Sequence, residues 1–99
     1  MTITKTLDNE TLTIQVEGEI NSSNAVDLDQ AITSSIKGVK TLILDFEKLD
    51  YISSAGLRII LSAQKKMDKQ GHMKVINCNE TVMDVFDMTG FSNILDFGK

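Results

Sequence analysis

The sequence has no proline, a single cysteine and no long hydrophobic run. The lone cysteine, Cys78, excludes a disulfide within the chain. The longest apolar runs have three residues, whereas a membrane-spanning helix needs about 20. The first residues also lack the apolar segment of a secretion signal. These absences predict a cytoplasmic protein without membrane contact. With no linker or repeat either, they predict one domain over residues 1–99.

Basic residues are also scarce, since 10 lysines and arginines face 14 acidic residues and the net charge is −4. A nucleic-acid-binding domain normally presents a basic face. The one basic cluster, formed by Lys65, Lys66 and Lys69, falls near the end of a predicted helix. Cations at that position complement the helix dipole. The charge distribution therefore predicts no direct binding to nucleic acid.

Signatures of catalysis are missing as well. His72 has no cysteine or histidine partner at the spacing of metal ligands. Cys78 falls at the end of a predicted strand, where a small buried hydrophobe is the simpler interpretation. Ser62 and Lys65 match the S-x-x-K pattern, but they fall in the middle of a helix without the accompanying motifs. We therefore expect no enzyme, no metal and no cofactor.

Hydrophobic periodicity predicts an α/β fold. Residues 11–17 alternate between apolar and polar, as in a half-buried strand, and residues 2–7 form a weaker strand joined to them by a turn. Helical spacing begins near Ser22 or Ser23 and ends near Gly38, and a longer helix runs from Ser53 or Ser54 to about Gln70. Strands at 41–46 and 73–78 and a short helix capped by Asn79 complete the pattern, and residues 94–97 form a last strand or a tail.

The predicted order is β-β-α-β-α-β-α. Strand–helix–strand units give parallel neighbours, while the initial hairpin is antiparallel. The prediction is therefore a single-domain mixed sheet of four or five strands, begun by the N-terminal hairpin, with about three helices packed on it.

The serine pair in YISSAGL, at residues 51–57, has two interpretations. Serine is a preferred helix N-cap, and one cap explains the position well. Capping requires only one serine, however, and Gly56 in the first turn costs about 1 kcal/mol of helix propensity relative to alanine. A glycine there fits a place where another group approaches the backbone closely. From spacing alone, capping and function both stay open.

The chain resembles a STAS domain of the bacterial anti-sigma factor antagonist type. The similarity follows nearly the whole sequence in order. Residues 51–57 resemble the family's D-S-[ST/A]-G-L phosphorylation motif, and residues 16–25 resemble the segment G-x-[IL]-[DN] that precedes the first helix. Residues 42–46, 73–76 and 85–90 are similar to the family's central strand, following strand and final helix. The resemblance thus implies a STAS-like fold.

The resemblance also implies partners and a switch. Such proteins bind an anti-sigma factor that is also a serine kinase. This binding frees a sigma factor. Phosphorylation of one serine ends the binding, and a PP2C-type phosphatase reverses it. Alignment with the motif puts the acceptor at Ser54, with Ser53 as second choice. The expected protein is a monomer or weak dimer. Its partner-binding residues would be Asn21, Ser22, Ser23, Ile52, Ser53, Gly56, Leu57 and Arg58.

Two positions depart from the family pattern. Ser53 and Asn21 stand where most or many relatives carry aspartate. Either change could alter kinase recognition. It could also leave a docking module that is never phosphorylated and serves as a scaffold in a signalling assembly. A nucleotide-binding domain is a third alternative, because STAS-like domains have been suggested to bind nucleotides.

Overall fold

A five-stranded mixed sheet organises the computed structural model, which describes residues 1–98. The elements follow the order β1 (Thr2–Asp8), β2 (Thr11–Ile20), α1 (Ala25–Thr33), β3 (Thr41–Asp45), β4 (Leu49–Ile52), α2 (Ser54–Asp68), β5 (His72–Ile76), α3 (Glu80–Met88) and a 3-10 turn (Phe91–Asn93). The prediction of a mixed sheet begun by a hairpin, with three helices, is confirmed.

Strand β2 is the longest strand and organises the pairing. It is antiparallel to β1 and parallel to β3 along its first half. Beyond an irregularity between Gly18 and Glu19, it is parallel to β4. Strands β3 and β4 therefore lie one after the other along the same side of β2, and β5 pairs with the far side of β3. This register places the ends of β2 and β4 side by side.

The hydrophobic core lies on one face of the sheet. Leu12, Ile14 and Leu44 are fully buried there, while Thr13 and Ile43 on the opposite face are only partly buried. The alternation of the sequence thus sorts the sheet into a helix-covered face and an open one. The helices add their own buried stripes, made of Ala25, Leu28 and Ile32 in α1, Leu57, Ile60, Ala63 and Met67 in α2, and Val82 and Phe86 in α3.

Several boundaries differ from the sequence prediction. Strand β4 is absent from that prediction, because its pattern of two buried ends around exposed Asp50 and Tyr51 does not alternate. Residues 94–97 are not a strand, although the amide of Val75 donates to the carbonyl of Asp96 at 2.8 Å. Helix α2 ends at Asp68, two residues before the expected Gln70. The 3-10 turn occupies the residues directly before position 94. One hydrogen bond to β5 is too few to form a ladder between strands.

The first helix begins and ends differently from the prediction. Its N-cap is Asn24, so the expectation of a cap at Ser22 or Ser23 is wrong, and α1 ends at Thr33. The side chain of Asn21 accepts hydrogen bonds from the amides of Ser23 and Asn24, which holds residues 21–24 in a turn. The helix therefore begins only at Ala25. The cap of α3 is Asn79, as predicted, because its side chain accepts a hydrogen bond from the amide of Val82 at 2.8 Å.

None of the helices within residues 1–98 has the length and apolar character required to cross a membrane. Over the same residues, no group of three or more histidine, cysteine, aspartate or glutamate side chains could hold a metal ion.

Candidate functional site

Two loops meet where β2 and β4 end. Ile20 and Ile52 are register partners in these parallel strands, and the amide of Ser53 donates to the carbonyl of Ile20 at 2.8 Å. The turn at residues 21–24 after β2 therefore lies beside the first turn of α2. Loops at the carboxyl ends of parallel strands are a frequent position for binding sites in α/β folds. The structure thus brings together the two segments singled out from the sequence.

Ser53 is the structural serine of the pair. Its backbone is extended, with φ −89° and ψ 174°, and its Oγ accepts a hydrogen bond from the amide of Gly56 at 3.4 Å. This is the geometry of a helix N-cap, which satisfies one of the free amides of the first turn. The side chain is half-buried. The capping interpretation therefore accounts for Ser53.

Ser54 is left free by this arrangement. It is the first residue of α2, its side chain is exposed, and its hydroxyl makes no hydrogen bond to any residue from 1 to 98. An anion at this position would meet the free amides and the positive end of the helix dipole. The two adjacent serines thus have different environments, and of the two only Ser54 presents an unengaged hydroxyl to solvent.

Gly56 is explained by packing inside the protein. A Cβ atom there would lie 2.7 Å from both Ile20 Cγ2 and Ile52 Cγ1, which is far inside van der Waals contact. The close approach expected from the sequence is therefore made by two core side chains of the sheet. The missing side chain lets the first turn of α2 press directly onto the ends of β2 and β4.

The expected contact residues fall into two layers. Ile52 is 0% exposed and Leu57 is 5% exposed, and Gly56 is buried. These three lie beneath the surface and support it. Exposed or partly exposed side chains belong to the remaining expected residues, which are Asn21, Ser22, Ser23, Ser53 and Arg58. Only some of the residues expected from the motif are therefore accessible to a partner.

Asn21 orders the neighbouring turn. Its Oδ1 accepts hydrogen bonds from the amides of Ser23 and Asn24 at 2.9 and 3.1 Å, and its Nδ2 donates to Glu19 Oε1 at 3.1 Å. An aspartate could accept the same two amide bonds, but it would place a second carboxylate against Glu19. Asparagine therefore suits this position beside Glu19.

Two exposed apolar residues beside the site are missing from the set expected from the sequence. Val26 in the first turn of α1 is 53% exposed, and Tyr51, two residues before Ser53, is 45% exposed. Helices α1 and α2 both return from parallel strands and so run in the same direction, and Lys66 Nζ contacts Thr33 Oγ1 at 3.4 Å near their ends. Val26 therefore lies at the same end of the helix pair as Ser54. Its position outside the apolar stripe of α1 was the available signal.

Arg58 supplies the positive charge of the site. It is exposed, it is the only charged residue between positions 54 and 61, and it forms no ion pair with any residue from 1 to 98. The other candidate reactive groups lie elsewhere. His72 Nε2 pairs with Asp96 Oδ2 at 2.7 Å, and burial raises the pKa of the half-buried Cys78 thiol to about 11. That thiol stays protonated at neutral pH and is a poor nucleophile.

The sequence matches a protein-family model and named relatives. The family model described as STAS domain matches residues 2–99. BtrV of Bordetella bronchiseptica, which carries the name anti-sigma factor antagonist, is 37% identical over 81 residues, covering 80% of this chain and 70% of BtrV. The anti-sigma-B factor antagonist of Bacillus subtilis is 27% identical over 84 residues, covering 84% of this chain and 77% of that protein.

Solved structures show the same fold. The anti-sigma factor antagonist SpoIIAA in its unphosphorylated form gives a TM-score of 0.85 at 22% identity, covering 99% of this chain and 89% of SpoIIAA. The Bacillus cell fate determinant SpoIIAA in its phosphorylated form gives a TM-score of 0.77 at 22% identity, covering 99% of this chain and 92% of that one.

Proposed function

The chain belongs to the STAS domain family, among the anti-sigma factor antagonists, and from this we propose that it binds an anti-sigma factor and is released by phosphorylation of Ser54. The binding frees a sigma factor for RNA polymerase, and the protein has no catalytic activity of its own. The anti-sigma factor is also the serine kinase, and a PP2C-type phosphatase removes the phosphate. Such a cycle takes place in the cytoplasm.

The exposed hydroxyl of Ser54 is the observation that supports the proposal. Ser53 Oγ is engaged in capping α2, whereas Ser54 Oγ points to solvent without a partner among residues 1–98. A kinase needs a hydroxyl that it can reach without unfolding the acceptor. Ser54 meets that condition, and the neighbouring turn at residues 21–24 provides a second ordered segment for docking.

The chemistry is a reversible phosphoryl transfer. The hydroxyl oxygen of Ser54 attacks the γ-phosphorus of ATP, a new O–P bond replaces the bond to the bridging oxygen, and ADP and a proton leave. Hydrolysis by the phosphatase then adds water across the O–P bond, which returns the serine hydroxyl and inorganic phosphate. The kinase and the phosphatase supply the catalytic groups.

Phosphorylation acts at the partner surface and leaves the fold intact. The phosphate adds about −1.5 to −2 charges at pH 7. At the first residue of a helix this charge is compatible with the dipole, so α2 stays folded. In a complex the same phosphate would be desolvated, which costs several kcal/mol unless it is paired. A loss of about 3 kcal/mol already weakens binding more than a hundredfold.

A second candidate function is an unswitched docking module. Ser53 and Asn21 stand where relatives commonly carry aspartate, so a kinase that reads those carboxylates would not recognise this chain. The same surface would then bind its partner permanently. Incubation with the cognate anti-sigma factor and ATP, followed by mass spectrometry, separates the two functions. One phosphate on Ser54 supports the switch, and an unmodified chain supports the docking module.

Two substitutions at Ser54 test the switch. We expect Ser54→Ala to bind the anti-sigma factor as the unmodified protein does, and Ser54→Asp to bind at least tenfold more weakly, because a carboxylate carries part of the phosphate's charge. Isothermal titration calorimetry with the purified partner measures both affinities.

Thr81→Asp is the matched control. Thr81 is exposed in the first turn of α3, so its replacement adds the same charge near the start of a different helix. Its affinity should stay unchanged. Equal affinities for Ser54→Ala and Ser54→Asp would contradict electrostatic exclusion.

A further inference from the structure

Arg58 stands in a defined relation to Ser54 on the surface of α2. The two residues are four positions apart in a 15-residue helix, and both are exposed. Residues at this spacing share one helix face, with Cβ atoms about 5–6 Å apart. Side chains in a helix lean toward its N-terminus, so the side chain of Arg58 is long enough and suitably directed to reach a group on Ser54. An anion followed four residues later by a cation is also the favourable order in a helix.

The guanidinium of Arg58 is uncommitted in the unmodified protein. It has no ion-pair partner among residues 1–98, and no other charged residue lies between positions 54 and 61. The nearest basic residues along the same helix are Lys65 and Lys66, in its last turn. Arginine presents its donors as a planar fork that binds two phosphate oxygens at once. Spacing and chemistry therefore make Arg58 the one residue of α2 suited to receive a phosphate on Ser54.

We propose that Arg58 is the internal receptor of the Ser54 phosphate, so that phosphorylation withdraws the cation at the start of α2 as it adds the anion. The inference rests on the proposed modification of Ser54 and assigns the device by which it acts. Before modification, Arg58 is free to pair with an acidic group of the anti-sigma factor. After modification, that pairing is lost to the phosphate four residues away. The phosphate carries about −1.5 to −2 charges, more than the single positive charge of the guanidinium neutralises, so a weakened repulsion and the loss of an attractive contact act together.

The spacing also distinguishes the two serines. Ser53 lies five residues before Arg58 and outside the helix, with its hydroxyl engaged in capping. A phosphate there would lie at the N-cap, outside the helix face that carries Arg58. The receptor therefore serves Ser54 only.

The test uses the full chain with phosphoserine incorporated at position 54 during translation, so that no kinase is needed. Phosphorus NMR follows the second ionisation of the phosphate, whose pKa is ordinarily about 6. We expect this pKa to lie about 0.5 lower in the otherwise unchanged protein than in Arg58→Gln, since the guanidinium favours the dianion. The Nε–Hε signal of Arg58 should also shift between the unmodified and the phosphorylated protein.

Lys65→Gln is the matched control, because it removes the same charge from an exposed position in the last turn of the helix. It should titrate like the unchanged phosphoprotein, and Arg58→Lys should fall between the two. Identical titrations for Arg58→Gln and Lys65→Gln would overturn the receptor role, whatever the kinase does. Failure of the kinase to modify Ser54 would instead overturn the proposed function and leave the titration result standing.

Discussion

At Gly56 a hydrogen atom in place of a methyl group lets α2 rest on the sheet. An alanine methyl at this position would meet side-chain carbons of Ile20 and Ile52, each at 2.7 Å. We expect Gly56→Ala to lower the free energy of unfolding by up to about 2 kcal/mol, because overpacking a core costs about 1–3 kcal/mol and the gain in helix propensity returns about 1 kcal/mol. Urea denaturation followed by circular dichroism measures the change.

Ser62→Ala provides the comparison for that glycine. Ser62 is only partly buried within the same helix, so alanine should leave stability within about 0.5 kcal/mol of the original. If Gly56→Ala were as stable as Ser62→Ala, the packing of α2 against Ile20 and Ile52 would be looser than the structure shows.

Single residues also mark the limit of what the sequence revealed about the site. The motif pointed to the region of Ser53 and Ser54, but it could not show that Ile52 and Leu57 face inward while Tyr51 faces outward. Those orientations depend on the register of β4 against β2, which is a contact between segments about thirty residues apart. Which of the two serines caps α2 likewise became clear only from the backbone angles of Ser53.

Replacing the two serines at the start of α2 should change the free energy of unfolding by different amounts. We expect Ser53→Ala to lose about 0.5–1 kcal/mol, at the lower end of measured cap losses, because the cap bond to Gly56 is long at 3.4 Å. Ser54→Ala should change stability by less than about 0.5 kcal/mol, since its hydroxyl is exposed. Denaturation midpoints of the two variants, measured side by side, give the comparison. A larger loss for Ser54→Ala would mean that Ser54 is the cap.

Elements with their own periodicity were predictable, and elements created by tertiary pairing were not. Regular spacing of apolar residues predicts strand β2 and helix α2. Strand β4 has four residues and exposed side chains at its centre, so only its pairing with the end of β2 defines it. The late start of α1 has a similar cause, because side-chain bonds of Asn21 and Asn24 hold the preceding turn.

The residues that follow α3 pack beside the last strand, β5. The carbonyl of Asp96 accepts the amide of Val75, and the rings of Phe97 and Phe86 lie 5.5 Å apart. A hydrogen bond from the amide of Gly98, and then the one to His72, lower the pKa of the Asp96 carboxyl below its ordinary 3.8. Because this pKa is depressed, the contribution to stability is present above pH 3.8 and is lost as the pH falls through the folded value.

We expect His72→Ala to raise the pKa of Asp96 while leaving it below 3.8, since the larger contribution, from the Gly98 amide, remains. Carbon NMR of the Asp96 carboxyl over an acid titration measures the shift. Lys65→Ala should leave the same carboxyl unchanged. An Asp96 pKa that is the same with and without His72 would mean that the 2.7 Å contact is absent in solution.

Tyr51 gives the molecule a built-in optical reporter. It is the only tyrosine in a chain that has no tryptophan, and its exposed ring stands three positions before Ser54. Near-ultraviolet emission therefore comes almost entirely from one exposed ring, close in sequence to the proposed docking surface. Binding of the proposed partner can be followed without attaching a dye, and we expect quenching by a small solute to fall if the partner covers the ring.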